Sequence, residues 1–82
     1  MEGKYFVYAI LSEKDNRIYV GFSSDLDKRI NEHNSGKTKS TKGYKPWKLI
    51  YNEVVLGRKE AREKEKHYKS GISKEFLKSL LK

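Results

Sequence analysis

Cysteine is absent from the 82-residue chain. Its absence excludes a disulfide framework and any thiolate-held metal, and it fits a reducing compartment such as the cytoplasm. Long apolar runs are missing too. The longest, residues 5–11, is far too short to cross a bilayer. No basic segment leading into an apolar stretch opens the chain, so a secretory signal is not expected. Binding to a membrane surface is disfavoured, because the lysine-rich stretch carries turn formers where large apolar anchors would be needed. Neither a repeat nor a linker interrupts the sequence. Its length allows a single domain, residues 1–82, which has to concentrate its apolar residues in a few well-patterned segments.

Basic residues dominate what is present. Nineteen Lys and Arg stand against eleven Asp and Glu, a formal net charge of +8. A domain this basic attracts polyanions, and nucleic acid is the commonest of them. The charge is uneven along the chain. Lys37, Lys39, Lys42, Lys45 and Lys48 follow one another with no acidic residue between Gly36 and Leu49, and Ser40, Thr41 and Tyr44 are interleaved among them. That composition suits a backbone track. Lysines neutralise phosphates, hydroxyls such as that of Thr41 donate to them, and Tyr44 stacks on an unpaired base. A solvated loop has much the same composition.

Residues 4–11 and 17–22 are rich in β-branched and aromatic side chains and read as strands. The polar turn of residues 13–16 joins them as an antiparallel hairpin. Ser24, Asp25, Leu26 and Asp27 resemble a capping box, so a helix is expected from there to about Asn34, with Gly36 as its stop. Residues 36–46 hold Gly36, Gly43 and Pro46 and read as a loop or irregular turn. A third strand is expected over 47–55 and a charged helix over 58–69. Ser73 would cap a last helix whose Phe76, Leu77, Leu80 and Leu81 pack on the core. The order β-β-α-loop-β-α-α predicts an α+β fold, a three-stranded mainly antiparallel sheet flanked by helices.

A four-residue hairpin loop places Tyr8 opposite Gly21 and Ile10 opposite Tyr19. The two tyrosines then become diagonal neighbours on one face, with Gly21 leaving a floor that substrate can approach closely. Tyrosine is also an ordinary strand former. In the first helix, Arg29 and His33 are four residues apart and point the same way. Arg29 can clamp a phosphate or pair with Glu32 or Asp25. His33 can exchange a proton near neutral pH or sit as a satisfied boundary residue. In the helix of residues 58–69, Ala61, Glu65, Tyr68 and Ile72 fall on one inward stripe. Glu60 and Glu63 fall elsewhere and read as solvated partners of Lys64 and His67. A carboxylate on an inward stripe needs a cation or a metal, and magnesium often takes only one protein carboxylate.

The order of these features is recognisable. Phe6-Val7-Tyr8, ten residues, then Tyr19-Val20-Gly21 resembles the paired motif of the GIY-YIG nuclease superfamily. Arg29 and His33 match the arginine and histidine of the family's first helix. Pro46-Trp47-Lys48-Leu49 and the helix containing Ala61-Arg62-Glu63-Lys64-Glu65 are also similar to it. The resemblance spans about residues 4–69, with Phe6 standing where the motif has glycine, and is strongest to small stand-alone members. These are related to the N-terminal nuclease of the bacterial excision-repair C subunit and to junction-cutting nucleases.

The resemblance implies a DNA endonuclease, structure-specific and linked to repair or recombination, that uses one magnesium or manganese ion. It implies a general-base or positioning role for Tyr8 or Tyr19, phosphate stabilisation by Arg29, support from His33, and metal binding by Glu65. Positive charge from Arg29, Lys28 or the metal would have to lower the tyrosine pKa, and Gly21, Lys28, Lys37, Lys39, Thr41 and Lys42 would meet the substrate. The five catalytic candidates are expected to line one open concavity. A protein partner or a second copy would supply targeting. The competing readings are a nucleic-acid-binding module of the same fold with little activity, and an adaptor for acidic proteins.

Overall fold

The computed structural model describes residues 3–80, the side chains of 71–74 excepted. Its elements follow the expected order: β1 (Lys4–Ser12), β2 (Ile18–Ser23), α1 (Leu26–Ser35), a 3-10 turn (Lys42–Tyr44), β3 (Trp47–Leu56), α2 (Arg58–Lys69) and α3 (Gly71–Ser79). The three strands form one antiparallel sheet in the order β2-β1-β3.

The hairpin register is the expected one, with Tyr8 opposite Gly21 and Ile10 opposite Tyr19. Side chains specify the turn that sets it. The Ser12 hydroxyl accepts from the amides of Lys14 and Asp15 at 3.1 and 3.3 Å. Asn16 takes a left-handed φ of 64°, which asparagine tolerates better than most residues. The Ser12 amide then donates to the Arg17 carbonyl at 2.9 Å.

β1 lies in the middle of the sheet, and Val7, Tyr8, Ala9 and Ile10 are all buried. Strand alternation sends them to opposite faces. Tyr8 and Ile10 pack with Trp47 and with the partly buried Tyr19, Leu26 and Ile30, so α1 covers this face. Val7 packs with Val55 and Ala61 on the other, where α2 lies, and Ala9 packs with Val20 and Leu77. Burying an aliphatic side chain of this size contributes about 1.5–3 kcal/mol, and both layers of the core meet on β1.

Helix ends depart from expectation in two places. Asp25, not Ser24, caps α1, and its carboxylate accepts from the Lys28 amide at 3.1 Å. The Ser23 hydroxyl accepts from the Asp25 amide at 3.1 Å, which fixes the entry one residue later than the capping-box reading. The α1 stop is as expected, at Gly36 with φ 84°. α3 begins at Gly71 after Ser70, so Ser73 lies within it and is not its cap. Among the described α3 side chains Leu77 reaches the core, while Phe76 and Leu80 remain 46% and 42% exposed. Phe76 meets the Tyr51 ring edge-on at 5.7 Å. The expected packing of Leu81 and of the Ile72 side chain lies outside the described residues. Among those described, no helix is long and apolar enough to cross a membrane.

Candidate active site

The buried pair Tyr8 and His33 is the centre of the site. The Tyr8 hydroxyl lies 2.9 Å from His33 Nε2. β1 supplies the tyrosine and α1 the histidine, and the packing of Ile30 and Leu26 on Tyr8 and Ile10 brings the two elements together. Tyr19 meets the same imidazole edge-on, with ring centroids 5.1 Å apart. The other imidazole nitrogen, Nδ1, is 2.8 Å from Thr41 Oγ1. Arg29, one helical turn before His33, lies beside the Tyr8 hydroxyl and pairs with Glu32 at 2.9 Å. Its pairing with Glu32 is one of the two readings the sequence left open.

The charges act unequally on these groups. Burial, helped by the charges of Tyr19 and Glu65 and opposed by Arg29, pushes the Tyr8 phenol up to about 12. Burial also holds the His33 imidazole below its ordinary range, and the positive charge of Arg29 acts in the same direction. At neutral pH His33 is therefore uncharged, with one nitrogen lone pair open to a proton.

Glu65 reaches this group from the other layer. α2 packs through Ala61 on the face opposite Tyr8. Glu65 is one turn further along the same stripe, its side chain 21% exposed and paired with Lys69 at 3.7 Å. The Lys69 ammonium lies 6.0 Å from the Tyr19 ring centroid. The Glu65 carboxylate is thus no farther from Tyr19 than those two distances laid end to end, at the β2 edge, and its charge is felt at Tyr8. The structure therefore brings Tyr8, Tyr19, Arg29, His33 and Glu65 into one neighbourhood. It does not set them in an open concavity: Tyr8 and His33 are buried, and Tyr19, Arg29 and Glu65 are partly covered.

Three expected substrate contacts are revised. Gly21 gives no floor to a substrate, because the tyrosines occupy the space above it. A Cβ there would sit 2.7 Å from the Tyr8 hydroxyl and 3.1 Å from Tyr19 Cε1. Thr41 cannot face a phosphate, since it is buried and its hydroxyl is engaged by His33 and by the Thr38 carbonyl. Tyr44 offers less stacking surface than expected, because the Arg17 guanidinium already lies 3.6 Å above its ring. Lys39 and Lys42 are exposed on the loop. Lys28 and Lys37 line a shallow groove along α1 that Asp25, Asp27 and Glu32 share, so that groove is not a purely basic track.

Several contributors were not anticipated. Lys69 lies near both Glu65 and the Tyr19 ring. Trp47 donates its indole N–H to the Thr41 carbonyl at 2.9 Å. The Asn34 side chain binds the backbone of Trp47 on both sides, accepting from its amide and donating to its carbonyl. Asn34 lies beside His33 in sequence and Lys69 follows Glu65 by four residues, and those spacings were the available signals.

The sequence profile of the GIY-YIG catalytic domain matches residues 4–76. The chain belongs to the GIY-YIG family. Its relatives are UPF0213 proteins, a small stand-alone group within that family. A UPF0213 protein of Staphylococcus haemolyticus is 36% identical over 78 residues, which cover 94% of each chain. One from Clostridium perfringens is 42% identical over 65 residues, 78% of this chain and 69% of that one. The solution NMR structure of a Bacillus halodurans UPF0213 protein superposes with a TM-score of 0.56 at 36% identity, covering 94% of this chain and 84% of that one. The fold is therefore that of a nuclease family whose members generally depend on a divalent metal, and a nuclease domain implies a nucleic-acid ligand.

Proposed function

We propose that this chain is a metal-dependent endonuclease that hydrolyses DNA phosphodiester bonds, structure-specific and linked to repair or recombination. The observation that carries the reading is the 2.9 Å contact between Tyr8 and the uncharged His33, with Arg29 alongside. A phenol pushed up to about 12 is a poor base at neutral pH by itself. Coupled to an imidazole with an open lone pair it need not ionise first. Tyr8 takes the proton of the attacking water as it passes its own to His33 Nε2, so no free phenolate forms. Tyr19, only partly buried and against the same imidazole, orients the water. Arg29 supplies positive charge where the phosphoryl oxygens gain negative charge.

Among the described residues no three His, Asp or Glu side chains cluster as a metal cage. A hard cation that keeps most of its waters fits that donor set, because it asks for one carboxylate. Glu65 would hold one magnesium or manganese ion, which when bound polarises the phosphoryl group and steadies the leaving oxygen. Lys39 and Lys42 would hold the substrate backbone, with Lys28 and Lys37 at the edge of α1. In this reading the protein works in the cytoplasm, and a protein partner or a second copy directs it to its DNA. The burial of Tyr8 and His33 favours a second reading, a nucleic-acid-binding module of the same fold with little activity.

Cleavage of labelled single-stranded, duplex and branched DNA, with magnesium or manganese against a chelator, separates the two. Metal-dependent cutting that Glu65→Ala abolishes supports the nuclease. Binding without cutting at any metal concentration, unchanged by the substitution, establishes the binding module instead.

A further inference from the structure

Thr41 has no assigned role once it is excluded from the substrate, yet it is among the most completely buried polar residues described. Its hydroxyl touches two groups, His33 Nδ1 at 2.8 Å and the Thr38 carbonyl at 3.3 Å. The direction of the hydrogen bonds follows from Thr41. Its hydroxyl donates to the Thr38 carbonyl, so its oxygen accepts from His33 Nδ1. At the other imidazole nitrogen, the buried Tyr8 hydroxyl proton needs an acceptor. His33 Nε2, at 2.9 Å, is that acceptor. In a neutral imidazole the proton then belongs to Nδ1. Nδ1–H donates to Thr41, and Thr41 donates to the Thr38 carbonyl. Every donor in the row has an acceptor, and all point one way.

We propose that Thr41 is a positioning residue that holds His33 as its Nδ1–H tautomer and so keeps Nε2 open to the Tyr8 proton. Free neutral histidine in water favours the opposite tautomer, so an acceptor fixed at Nδ1 is what selects this one. The fold puts considerable structure behind that oxygen. The Thr41 carbonyl accepts from Trp47 Nε1 at 2.9 Å, and the Thr41 amide donates to the Thr38 carbonyl at 3.1 Å. The hairpin turn clasps the following residues. Ser12 donates to the Tyr44 carbonyl, Lys14 donates to the Gly43 carbonyl at 3.2 Å, and Arg17 covers the Tyr44 ring. The lysine-rich loop thus has a second task beneath its charged surface: it carries the hydroxyl that orients the histidine.

The tautomer is read directly from the imidazole nitrogen-15 shifts, at a pH where His33 is neutral, with His67→Gln used to assign the signals. In the wild-type chain, Nε2 of His33 shows the bare-nitrogen shift and Nδ1 the protonated one. Thr41→Val, nearly the same shape but without an acceptor, moves the proton to Nε2. Thr41→Ser restores the wild-type pattern. A wild-type His33 protonated at Nε2 overturns the proposal, and so does a Thr41→Val chain that keeps Nδ1–H. Should Thr41→Val fail to fold, the wild-type and Thr41→Ser spectra still decide, because both must show Nδ1–H. The role in catalysis rests on the nuclease reading: there Thr41→Val lowers kcat on the order of a hundredfold at unchanged KM, and Thr41→Ser does not. Absence of cleavage would strike the nuclease reading and leave the spectroscopic result standing.

Discussion

A single missing side chain decides the geometry at Tyr8. The hairpin register placed Gly21 opposite Tyr8 in the sequence as in the structure, but the sequence suggested the gap was for a substrate. The tyrosines fill it themselves. Alanine at this position would bring a Cβ to 2.7 Å from the Tyr8 hydroxyl, a distance at which something must move. The strand backbone cannot yield without disturbing the ladder, so the phenol moves and its 2.9 Å contact with His33 is lost. Gly21→Ala should therefore destabilise the fold by about 1–3 kcal/mol through overpacking, and in the nuclease reading it should lower kcat far more than that loss accounts for. Urea unfolding gives the first and single-turnover cleavage the second. A variant as stable and as active as the wild type would mean the tyrosines have room to spare.

At the scale of elements, legibility followed the range of the interactions. The hairpin and α2 could be read because their patterns are local: turn chemistry at residues 13–16 and a repeat of three and four through Ala61, Glu65 and Tyr68. The α1 cap slipped by one residue because the Ser23 hydroxyl, outside the helix pattern, captures the Asp25 amide. The loop before β3 was read as a phosphate track or a solvated loop because its lysines dominate its composition. Its buried side depends on Ser12, Lys14 and Arg17, three residues from a turn far back in the chain, which no local pattern links to it. Lys69 was missed for a related reason. It flanks the inward stripe one turn after Glu65 and was read only as part of a charged helix, and the packing of α2 at β2 brings its ammonium toward Tyr19. That placement has a consequence for α2. Lys69 is half exposed, so its pair with Glu65 adds at most a few tenths of a kcal/mol to stability. It does compete for the carboxylate that the nuclease reading gives to the metal. Lys69→Ala should leave the unfolding midpoint almost unchanged and tighten manganese binding severalfold by calorimetric titration. Unchanged or weaker affinity would show that Lys69 does not oppose the ion.

Over the whole molecule, the net charge of +8 sets how binding should respond to salt. The described residues extend 39 × 29 × 18 Å, so the long dimension spans about eleven base pairs of duplex at ~3.4 Å each. Only part of one side can touch phosphates at once, and the position of the contacts matters more than the total charge. Two lysine groups compete for that role. Lys39 and Lys42 stand exposed on the loop, whereas Lys28 and Lys37 share their groove with Asp25, Asp27 and Glu32. Each lysine that neutralises a duplex phosphate should contribute about 0.9 to the slope of log K against log salt, and about 0.7 with a single strand. Replacing Lys39 and Lys42 together by alanine should therefore flatten the slope by nearly two on duplex DNA and weaken binding at low salt. The same change at Lys28 and Lys37 should flatten it less, because neighbouring carboxylates already offset those charges. Fluorescence anisotropy over a salt series measures both. Equal losses from the two pairs would mean that binding reads overall charge, and a larger loss from Lys28 and Lys37 would move the backbone track from the loop to α1.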